Sequence, residues 1–276
     1  MVCEEVKRPA SLLLVGGTDP LCGAGVVADA LVASLRGSWP LAVPGALVDQ
    51  DSHGVYGYMP VDLGFFRRTL VRTLDDAAPA VVKVGMVGTY EHFVVVHEEV
   101  RARGLPVVWD PVTGGGTADR PRLGTSALSS QLGAAVLGGL CEGWWLTPNA
   151  QELSDWCGAP VRSLEELVEA AREVARVGRV TVVAKGGHLV QERGWDAVVE
   201  VGSVTVYEPL PWPQVDVHGT GCALATLLAC ERVSGASAQE AMEVARRVLA
   251  GWVQGGGLLV GGGRPQLDLR RAWEAS

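Results

Sequence analysis

Residues 218–230 read HGTGCALATLLAC, a glycine-rich turn that runs directly into an apolar helix. Gly219 and Gly221 allow backbone angles that other residues avoid, so successive backbone N–H groups can point at one position. The start of a helix adds about half a positive charge there, which favours a bound anion. Cys222 lies in the first helical turn, where the pKa of a thiol is expected to fall. An anion site beside an activated side chain is typical of phosphoryl or acyl transfer.

The same segment also fits a purely structural role. Glycine is common where a helix begins, and cysteine is among the most frequently buried residues, so Cys222 could simply fill the core. The segment alone leaves both interpretations open, and the rest of the chain has to decide between them.

Composition limits the classes of function. The chain has 276 residues, of which 48% are hydrophobic and 20% charged, a globular composition. Its net charge of −8 argues against nucleic acid or an anionic membrane as a partner. The six cysteines form no CxxC pair and are expected to be free thiols in a reducing compartment. The apolar run at 12–15 is too short for a signal peptide or a membrane span, so we expect a cytoplasmic protein.

Short apolar runs alternate with longer amphipathic ones, which predicts an α/β fold with a mainly parallel sheet covered by helices. Strands are predicted at 11–15, 42–48, 81–84, 106–109, 143–146, 180–184, 196–201 and 204–208. Helices are predicted at 25–35, 63–74, 90–103, 150–157, 164–177, 221–233 and 238–254. We expect a single domain over 1–276, with an N-terminal tail at 1–10 and a loop-rich C-terminal tail at 255–276.

The first predicted strand runs into residues 16–25, GGTDPLCGAG. Loops at this end of the strands are where open α/β sheets bind ligands. The chain contains neither a GxGxxG spacing here nor a GxxxxGK[ST] P-loop anywhere, so the two standard nucleotide motifs are poorly supported. We expect this loop to form a close wall around a small molecule. Asp29, in the helix that follows, is a candidate hydrogen-bond acceptor, or it merely favours the helix dipole.

Charged residues follow other predicted strands. Asp110 and Glu152 are carboxylates near the expected phosphate site, and such a pair suits a divalent cation held through water. Asn149 and Glu152 also fit a helix capping box, a structural role that is compatible with a functional one. Lys185 could neutralise phosphate charge, or it could be a solvated lysine at the end of a strand. Gln50 and Met86, considered singly, fit a turn or the core.

Taken together, these motifs resemble the hydroxymethylpyrimidine/phosphomethylpyrimidine kinases of thiamine synthesis, in the ribokinase-like superfamily. The resemblance covers nearly the whole chain, from about residue 12 to residue 249. The matching segments are 17–20 (GTDP) with 23–29 (GAGVVAD), 46–50 (ALVDQ) with 54–55, 83–86 (KVGM), 108–112 (VWDPV), 146–149 (LTPN) with Glu152, 185–189 (KGGHL) and 218–222 (HGTGC).

The resemblance implies a three-layer ribokinase-like fold, with a central, mostly parallel sheet and helices on both faces. The short connection between the first strand and residue 23 leaves no room for a β-lid. The implied activity is ATP- and Mg²⁺-dependent phosphorylation of 4-amino-5-hydroxymethyl-2-methylpyrimidine and also of its monophosphate. By analogy with lidless relatives, we expect a homodimer.

The resemblance also assigns roles to individual residues. Cys222 would act as base for the substrate hydroxyl or assist its activation. The residues expected to surround the aminopyrimidine are Gly17, Ala24, Asp29, Gln50, Met86 and Val112. The remaining roles are phosphoryl binding by Gly219, Thr220 and Gly221, organisation of magnesium by Asp110 and Glu152, and contacts to ATP by Asn149 and Lys185.

The identity of the substrate depends on a few positions. Most sugar and nucleoside kinases of the superfamily carry aspartate where this chain has Cys222, and cysteine is typical of pyrimidine kinases and of a related pyridoxal-phosphorylating group. The chain departs from the family's usual sequence at 21–25, at Asp51 and at 113–119. The alternatives are therefore a pyridoxal or pyridoxine kinase, or a non-catalytic pyrimidine-binding regulatory protein. The intact phosphate-side motifs weigh against the non-catalytic alternative.

Overall fold

The structure is a computed structural model that describes residues 9–112, 126–187, 189, 192–210, 217–254 and 256–270. The segment at 113–119, where the sequence departs from its apparent relatives, lies outside the described residues. So do residues 1–8 of the predicted N-terminal tail, and residues 255 and 271–276 of the predicted C-terminal tail.

A nine-stranded mixed sheet forms the centre of the described fold, in the order β3-β2-β1-β4-β5-β6-β7-β8-β9. The six strands from β2 to β7 in that order are parallel, and antiparallel strands lie at both edges. The strands are β1 (Ser11–Gly17), β2 (Trp39–Gln50), β3 (Val55–Pro60), β4 (Val81–Val84), β5 (Val107–Trp109), β6 (Trp145–Leu146), β7 (Thr181–Lys185), β8 (Asp196–Glu200) and β9 (Ser203–Tyr207).

Helices cover both faces of the sheet, each with its own apolar core. Buried side chains of α2 to α6 form the core on one face, and those of α1, α7 and α8 form the core on the other. The helices are α1 (Gly25–Leu35), α2 (Leu63–Ala77), α3 (Tyr90–Ala102), α4 (Ser126–Leu137), α5 (Ala150–Cys157), α6 (Leu164–Gly178), α7 (Thr220–Val233) and α8 (Ala238–Val253). The predicted three-layer α/β fold is confirmed.

Every predicted strand and helix is present, with ends that differ by a few residues. The connection between β1 and α1 is short, as the sequence indicated, and carries no inserted lid. Two elements, β3 and α4, were not predicted. No helix among the described residues is both long enough and apolar enough to cross a membrane.

The described part of the C-terminal segment, residues 256–270, packs back onto loops at one end of the sheet. The backbone N–H of His218 donates to the carbonyl of Pro265 (2.8 Å), and that of Leu267 donates to the carbonyl of His218 (3.1 Å). Gly263 donates its N–H to the hydroxyl of Ser52 (3.0 Å), in the turn between β2 and β3. This segment therefore connects the turn before α7 to the turn after β2.

Candidate active site

The glycine-rich turn before α7 has the geometry of an anion-binding site. Gly219 caps the helix with a φ of 91°, in the left-handed region that favours glycine. A Cβ on Gly219 would lie 1.9 Å from the carbonyl oxygen of Gly23, so this turn packs directly against the loop after β1. Thr220 and Gly221 begin the helix, and the first N–H groups of a helix have no acceptor within it. These groups are positioned to receive an anion.

A buried carboxylate holds the loop between β1 and α1 in place. Asp19, 3% exposed, accepts hydrogen bonds from the backbone N–H groups of Leu21 (2.9 Å), Gly23 (3.1 Å) and Ala24 (2.9 Å). Its carboxylate also lies 3.5 Å from Nε2 of His218, which precedes the anion-binding turn. Burial alone would raise the pKa of Asp19, but hydrogen bonds from His218 and the loop backbone outweigh it and lower the pKa. Asp19 therefore stays ionised and joins the two loops.

The residues expected to surround the pyrimidine lie together beside this loop. Gly17 ends β1, and a Cβ placed on it would lie 3.3 Å from the sulfur of Met86. Met86 is buried in a small cluster with Val48, and Val112 packs against that cluster. Gln50, at the end of β2, hydrogen-bonds to Asp19. Ala24, the fifth of these residues apart from Asp29, lies on the loop that Asp19 holds.

Asp29 has a different environment from the other five. Its side chain is 1% exposed, and one oxygen lies 2.6 Å from Nζ of Lys83, which is equally buried. The other oxygen accepts the hydroxyl of Thr226 (2.7 Å), on α7. Both carboxylate oxygens are thus engaged inside the protein, and a direct contact between Asp29 and a substrate stays a prediction.

A second charged group lies at the ends of β5 and β7. Asp110, 1% exposed, accepts hydrogen bonds from Nζ of Lys185 (2.7 Å) and from the hydroxyl of Thr147 (2.9 Å). Burial would raise the pKa of Asp110, but Lys185 and Lys83 outweigh it and hold that pKa below its usual range. Lys185 is only 16% exposed, so it is not a solvated strand-end lysine. A Cβ on Gly221 would lie 3.6 Å from Nζ of Lys185, which places this cation beside the anion-binding turn.

Asn149 and Glu152 begin α5 in the predicted capping box. The Asn149 side chain accepts the N–H of Glu152 (3.0 Å), and the Glu152 carboxylate accepts the N–H of Asn149 (2.8 Å). Glu152 is 3% exposed, and its charge helps to raise the pKa of Lys185 although burial opposes that shift. The capping role is confirmed, and both residues remain next to the charged group of Asp110.

Cys222 lies at the junction of these groups, but its pKa differs from the expectation. Burial raises the pKa of the thiol to about 11, and the charges of Asp110 and Asp29 add to that effect. Lys83 and a hydrogen bond from the N–H of Gly25 oppose it without outweighing it. The expectation that the helix start lowers this pKa is therefore wrong for the unliganded protein, in which Cys222 is a neutral thiol at pH 7.

Three polar residues of the site were not singled out from the sequence. Lys83 belongs to a matching segment, but its role was not assigned, although a lysine inside the apolar run of β4 is unusual. Thr147 and Thr226 carried no signal of their own, because a threonine next to a proline or within an apolar helix is unremarkable. Only the fold brings them within hydrogen-bond distance of Asp110 and Asp29.

Known proteins with similar sequences include hydroxymethylpyrimidine/phosphomethylpyrimidine kinases and multifunctional proteins of thiamine biosynthesis. A family model described as phosphomethylpyrimidine kinase matches residues 19–266. The hydroxymethylpyrimidine/phosphomethylpyrimidine kinase of Streptomyces coelicolor is 31% identical over 261 residues, which cover 92% of each chain. The thiamine biosynthesis multifunctional protein ThiED of Corynebacterium efficiens is 34% identical over 97% of this chain. This chain corresponds to 36% of the length of that multifunctional protein.

Solved structures share the fold. The phosphomethylpyrimidine kinase of Clostridium difficile aligns with a TM-score of 0.74 and 23% identity, over 87% of this chain and 97% of the other. The pyridoxal kinase of Staphylococcus aureus, in complex with AMP-PCP and pyridoxal, aligns with a TM-score of 0.79 and 22% identity, over 93% and 92%. At these identities, the structural likeness establishes the fold alone.

Proposed function

The chain belongs to the phosphomethylpyrimidine kinase family, and on that premise we propose that it uses ATP to phosphorylate 4-amino-5-hydroxymethyl-2-methylpyrimidine and then the monophosphate, in thiamine synthesis. One observation carries the proposal. The anion-binding turn, Cys222 and Lys185 lie at the same end of the sheet as the cluster around Met86. A small ring and a transferring phosphoryl group could therefore be held side by side.

The phosphate side of the site supplies positive charge without a P-loop. We propose that Gly219, Thr220 and Gly221 bind the transferring phosphoryl group through their backbone N–H groups. Lys185 would stabilise the charge that develops on it, and Asn149 would contact ATP from the start of α5. Removal of one such preorganised donor typically costs about 3 kcal/mol of transition-state stabilisation.

The acidic residues suit a hard cation such as Mg²⁺. Asp110 is an ionised, buried carboxylate, and the carboxylate of Glu152 is near the same lysine. The described residues include no group of three or more side chains that could hold a metal ion by themselves. In such sites Mg²⁺ is bound through one or two carboxylates, water and the phosphates of the substrate. Bound there, the ion would neutralise charge on the ATP phosphates.

The opposite side would hold the pyrimidine. We propose that Met86 and Val112 cover the faces of the ring, because this small cluster supplies apolar surface. Because Gly17 and Ala24 have small side chains, the backbone at these residues would approach the ring closely. Gln50 would offer its side-chain amide to the ring substituents. Asp29 stays a proposed contact to the substrate, and it would also act through the residues that it contacts.

Once deprotonated to the thiolate, Cys222 would accept the proton of the hydroxymethyl group, or as a thiol it would orient that group, for in-line attack on the γ-phosphorus with ADP as the leaving group. We expect Cys222→Ala to reduce kcat by two or more orders of magnitude, in the range typical of a lost general base. The variant should keep its fold, because the substitution removes one sulfur atom and the hydrogen bond that the N–H of Gly25 donates to it. Cys230→Ala, two turns later on α7, is the matched control and should stay within about threefold of the parent. Parent-like turnover in Cys222→Ala would remove the thiol from the mechanism.

A substrate panel tests the activity itself. ADP release would be measured with the hydroxymethylpyrimidine, its monophosphate and pyridoxal. The proposal expects the largest kcat/KM for one of the two pyrimidines. A larger value for pyridoxal would favour the alternative of a pyridoxal kinase, since both rings carry a hydroxymethyl group. Turnover of none of the three would contradict the proposed substrate class.

We also propose that the enzyme is a cytoplasmic homodimer. Free thiols at Cys22, Cys141, Cys157, Cys222 and Cys230 support a reducing compartment. Support for the dimer comes from apolar side chains exposed near the edge strand β3. Tyr56, Met59 and Phe65 are 53%, 62% and 56% exposed. Analytical ultracentrifugation should give twice the chain mass, and Met59→Glu should lower it to that of one chain.

A further inference from the structure

An almost fully buried ion pair lies close to the first turns of α7, which carry the candidate thiol. Nζ of Lys83 and a carboxylate oxygen of Asp29 are 2.6 Å apart, and both side chains are 1% exposed. Removing two charges from water is costly, and a buried pair is tolerated only when further hydrogen bonds satisfy it. The hydroxyl of Thr226 supplies one of these bonds to Asp29 (2.7 Å). The pair therefore occupies a place where apolar residues would pack at lower cost.

The pair is linked to Cys222 through the first turns of α7. Thr226 lies four residues after Cys222, and its hydroxyl is also 2.9 Å from the carbonyl oxygen of Cys222. The ammonium of Lys83 lies toward the ligand-binding end of the sheet, because a Cβ on Gly85, just past β4, would be 3.2 Å from Nζ. Lys83, Asp29 and Cys222 thus come from β4, α1 and α7 to one place.

Four charged groups act on the sulfur of Cys222. Lys83 is the charge that most favours the thiolate, and Asp110 and Asp29 oppose it. Lys185, on β7, also interacts with the thiol. Burial lowers the pKa of Lys83, but Asp29, Cys222 and Asp110 outweigh burial, so Lys83 stays protonated. Neither Lys83 nor Asp29 has a place in the phosphate site or in the apolar cluster around Met86.

We propose that Lys83 is a positioning residue for Cys222. Asp29, which accepts a hydrogen bond from Thr226, holds Lys83 in place. The Lys83 ammonium stabilises the Cys222 thiolate, and the negative charge of Asp29 limits that effect. This inference rests on the proposed function of Cys222 and deepens it. It also gives Asp29 a role through Lys83, besides the direct contact with substrate that stays a prediction. The charge of Lys83 favours the thiolate of Cys222, which burial disfavours, and only the thiolate can accept the proton of the substrate hydroxyl.

The test measures the thiol and not the kinase reaction. The unliganded enzyme would be alkylated with iodoacetamide between pH 7 and 11, and the peptide containing Cys222 followed by mass spectrometry. Lys83→Met should slow alkylation of Cys222 at pH 9 by about tenfold or more, because loss of a nearby opposite charge typically shifts a pKa by about one to three units. Asp29→Asn should accelerate it. Cys22, which is exposed, is the internal control in each sample.

Opposite directions for the two variants are the decisive result. If the ion pair had only a structural role, both variants would change the alkylation rate of Cys222 in the same direction, since either variant would loosen the same packing. Because one uncompensated buried charge is destabilising, the double variant Lys83→Met with Asp29→Asn is included, and circular dichroism would verify its fold. We expect it to fold and to be alkylated more slowly than the parent at pH 9. An unchanged rate, or a failure of this double variant to fold, would overturn the proposal.

The kinetic readout separates this proposal from the proposed function. Lys83→Met should lower kcat and move its pH profile to higher pH, with KM for the pyrimidine within about threefold of the parent. If Cys222→Ala kept full turnover while the alkylation results held, the role of the thiol would fail and the Lys83 effect would stand. If the alkylation rates did not change while Cys222→Ala was inactive, the proposal for Lys83 would fail and the role of the thiol would stand.

Discussion

Asp196 pairs across the sheet with Lys185, which is proposed to contact ATP. Burial raises the pKa of Asp196 to about 6, although Arg246 (3.4 Å) and the N–H of Gly186 (3.1 Å) oppose the shift. The folded protein therefore binds this proton more tightly than the unfolded chain does. The protonated carboxyl of Asp196 therefore adds to the free energy of unfolding. This contribution is fully present below the unfolded pKa of 3.8 and is lost as the pH rises through about 6.

Asp196→Asn removes this titration and keeps an oxygen that can accept the N–H of Gly186. We expect the free energy of unfolding of the parent, relative to that of the variant, to fall by roughly 3 kcal/mol between pH 4 and 7, from about two pKa units at 1.4 kcal/mol each. Urea unfolding at several pH values would measure it. Asp76→Asn, at an exposed position of α2, is the matched control. A difference that stays constant with pH would contradict the prediction.

Single residues also show how far the sequence could predict the site. The turn at Gly219 and the capping box at Asn149 could be predicted because local chemistry defines them. The environment of Asp29 could not, because its partners Lys83 and Thr226 are 54 and 197 residues away in the chain. The pKa of Cys222 was expected to fall for a local reason, and burial by distant segments reversed its direction.

Among the elements, the C-terminal segment at 256–270 was expected from its glycine-rich composition to be a loop-rich tail, but it packs against the loop between β1 and α1. Gln266 is 3% exposed, and its side-chain oxygen occupies the place that a Cβ on Gly23 would take, 1.8 Å away. Gly23 belongs to the loop that Asp19 holds, next to the anion-binding turn. The segment therefore supports the candidate substrate loop from behind.

We expect Gly23→Ala to lower kcat/KM by tenfold or more, because the added methyl group must displace either the loop or the buried side chain of Gln266. Gln266→Ala alone should have a smaller effect. The double variant should recover most of the loss, since removal of the glutamine side chain makes room for the methyl group, and a double-mutant cycle would measure this coupling. Additive losses would show that the loop does not depend on this contact.

The two elements that the sequence did not predict have physical explanations. Strand β3 contains Gly57 and Pro60, which disfavour a strand, and its pairing with β2 decides its conformation. Helix α4 follows a segment rich in glycine and proline and contains Gly133. A Cβ at Gly133 would lie 2.6 Å from the ring of Trp156, so this glycine serves helix packing rather than a turn. Tertiary contacts overrode local propensity in both cases.

Across the whole molecule, the candidate site draws on residues at the ends of β1, β2, β4, β5 and β7 and at the starts of α5 and α7. Those elements belong to the central sheet and to both helical layers, whose two cores cover opposite faces. A ligand that binds there contacts parts of the chain that are far apart in sequence. Binding should therefore stabilise the fold as a unit, as expected if residues 1–276 form a single domain.

Differential scanning calorimetry tests this at the scale of the whole chain. We expect one transition, raised by AMP-PCP with Mg²⁺ at about 100 times its Kd by some 5 to 10 °C. At that concentration, ligand binding stabilises the folded state by about 2.7 kcal/mol, and each kcal/mol raises the Tm of a chain of this size by roughly 2–4 °C. Lys185→Ala should weaken binding and reduce the shift at the same ligand concentration. Two transitions, of which only one responds to the nucleotide, would contradict a single cooperative domain, because a site that draws on five strands and both helical layers should stabilise them together.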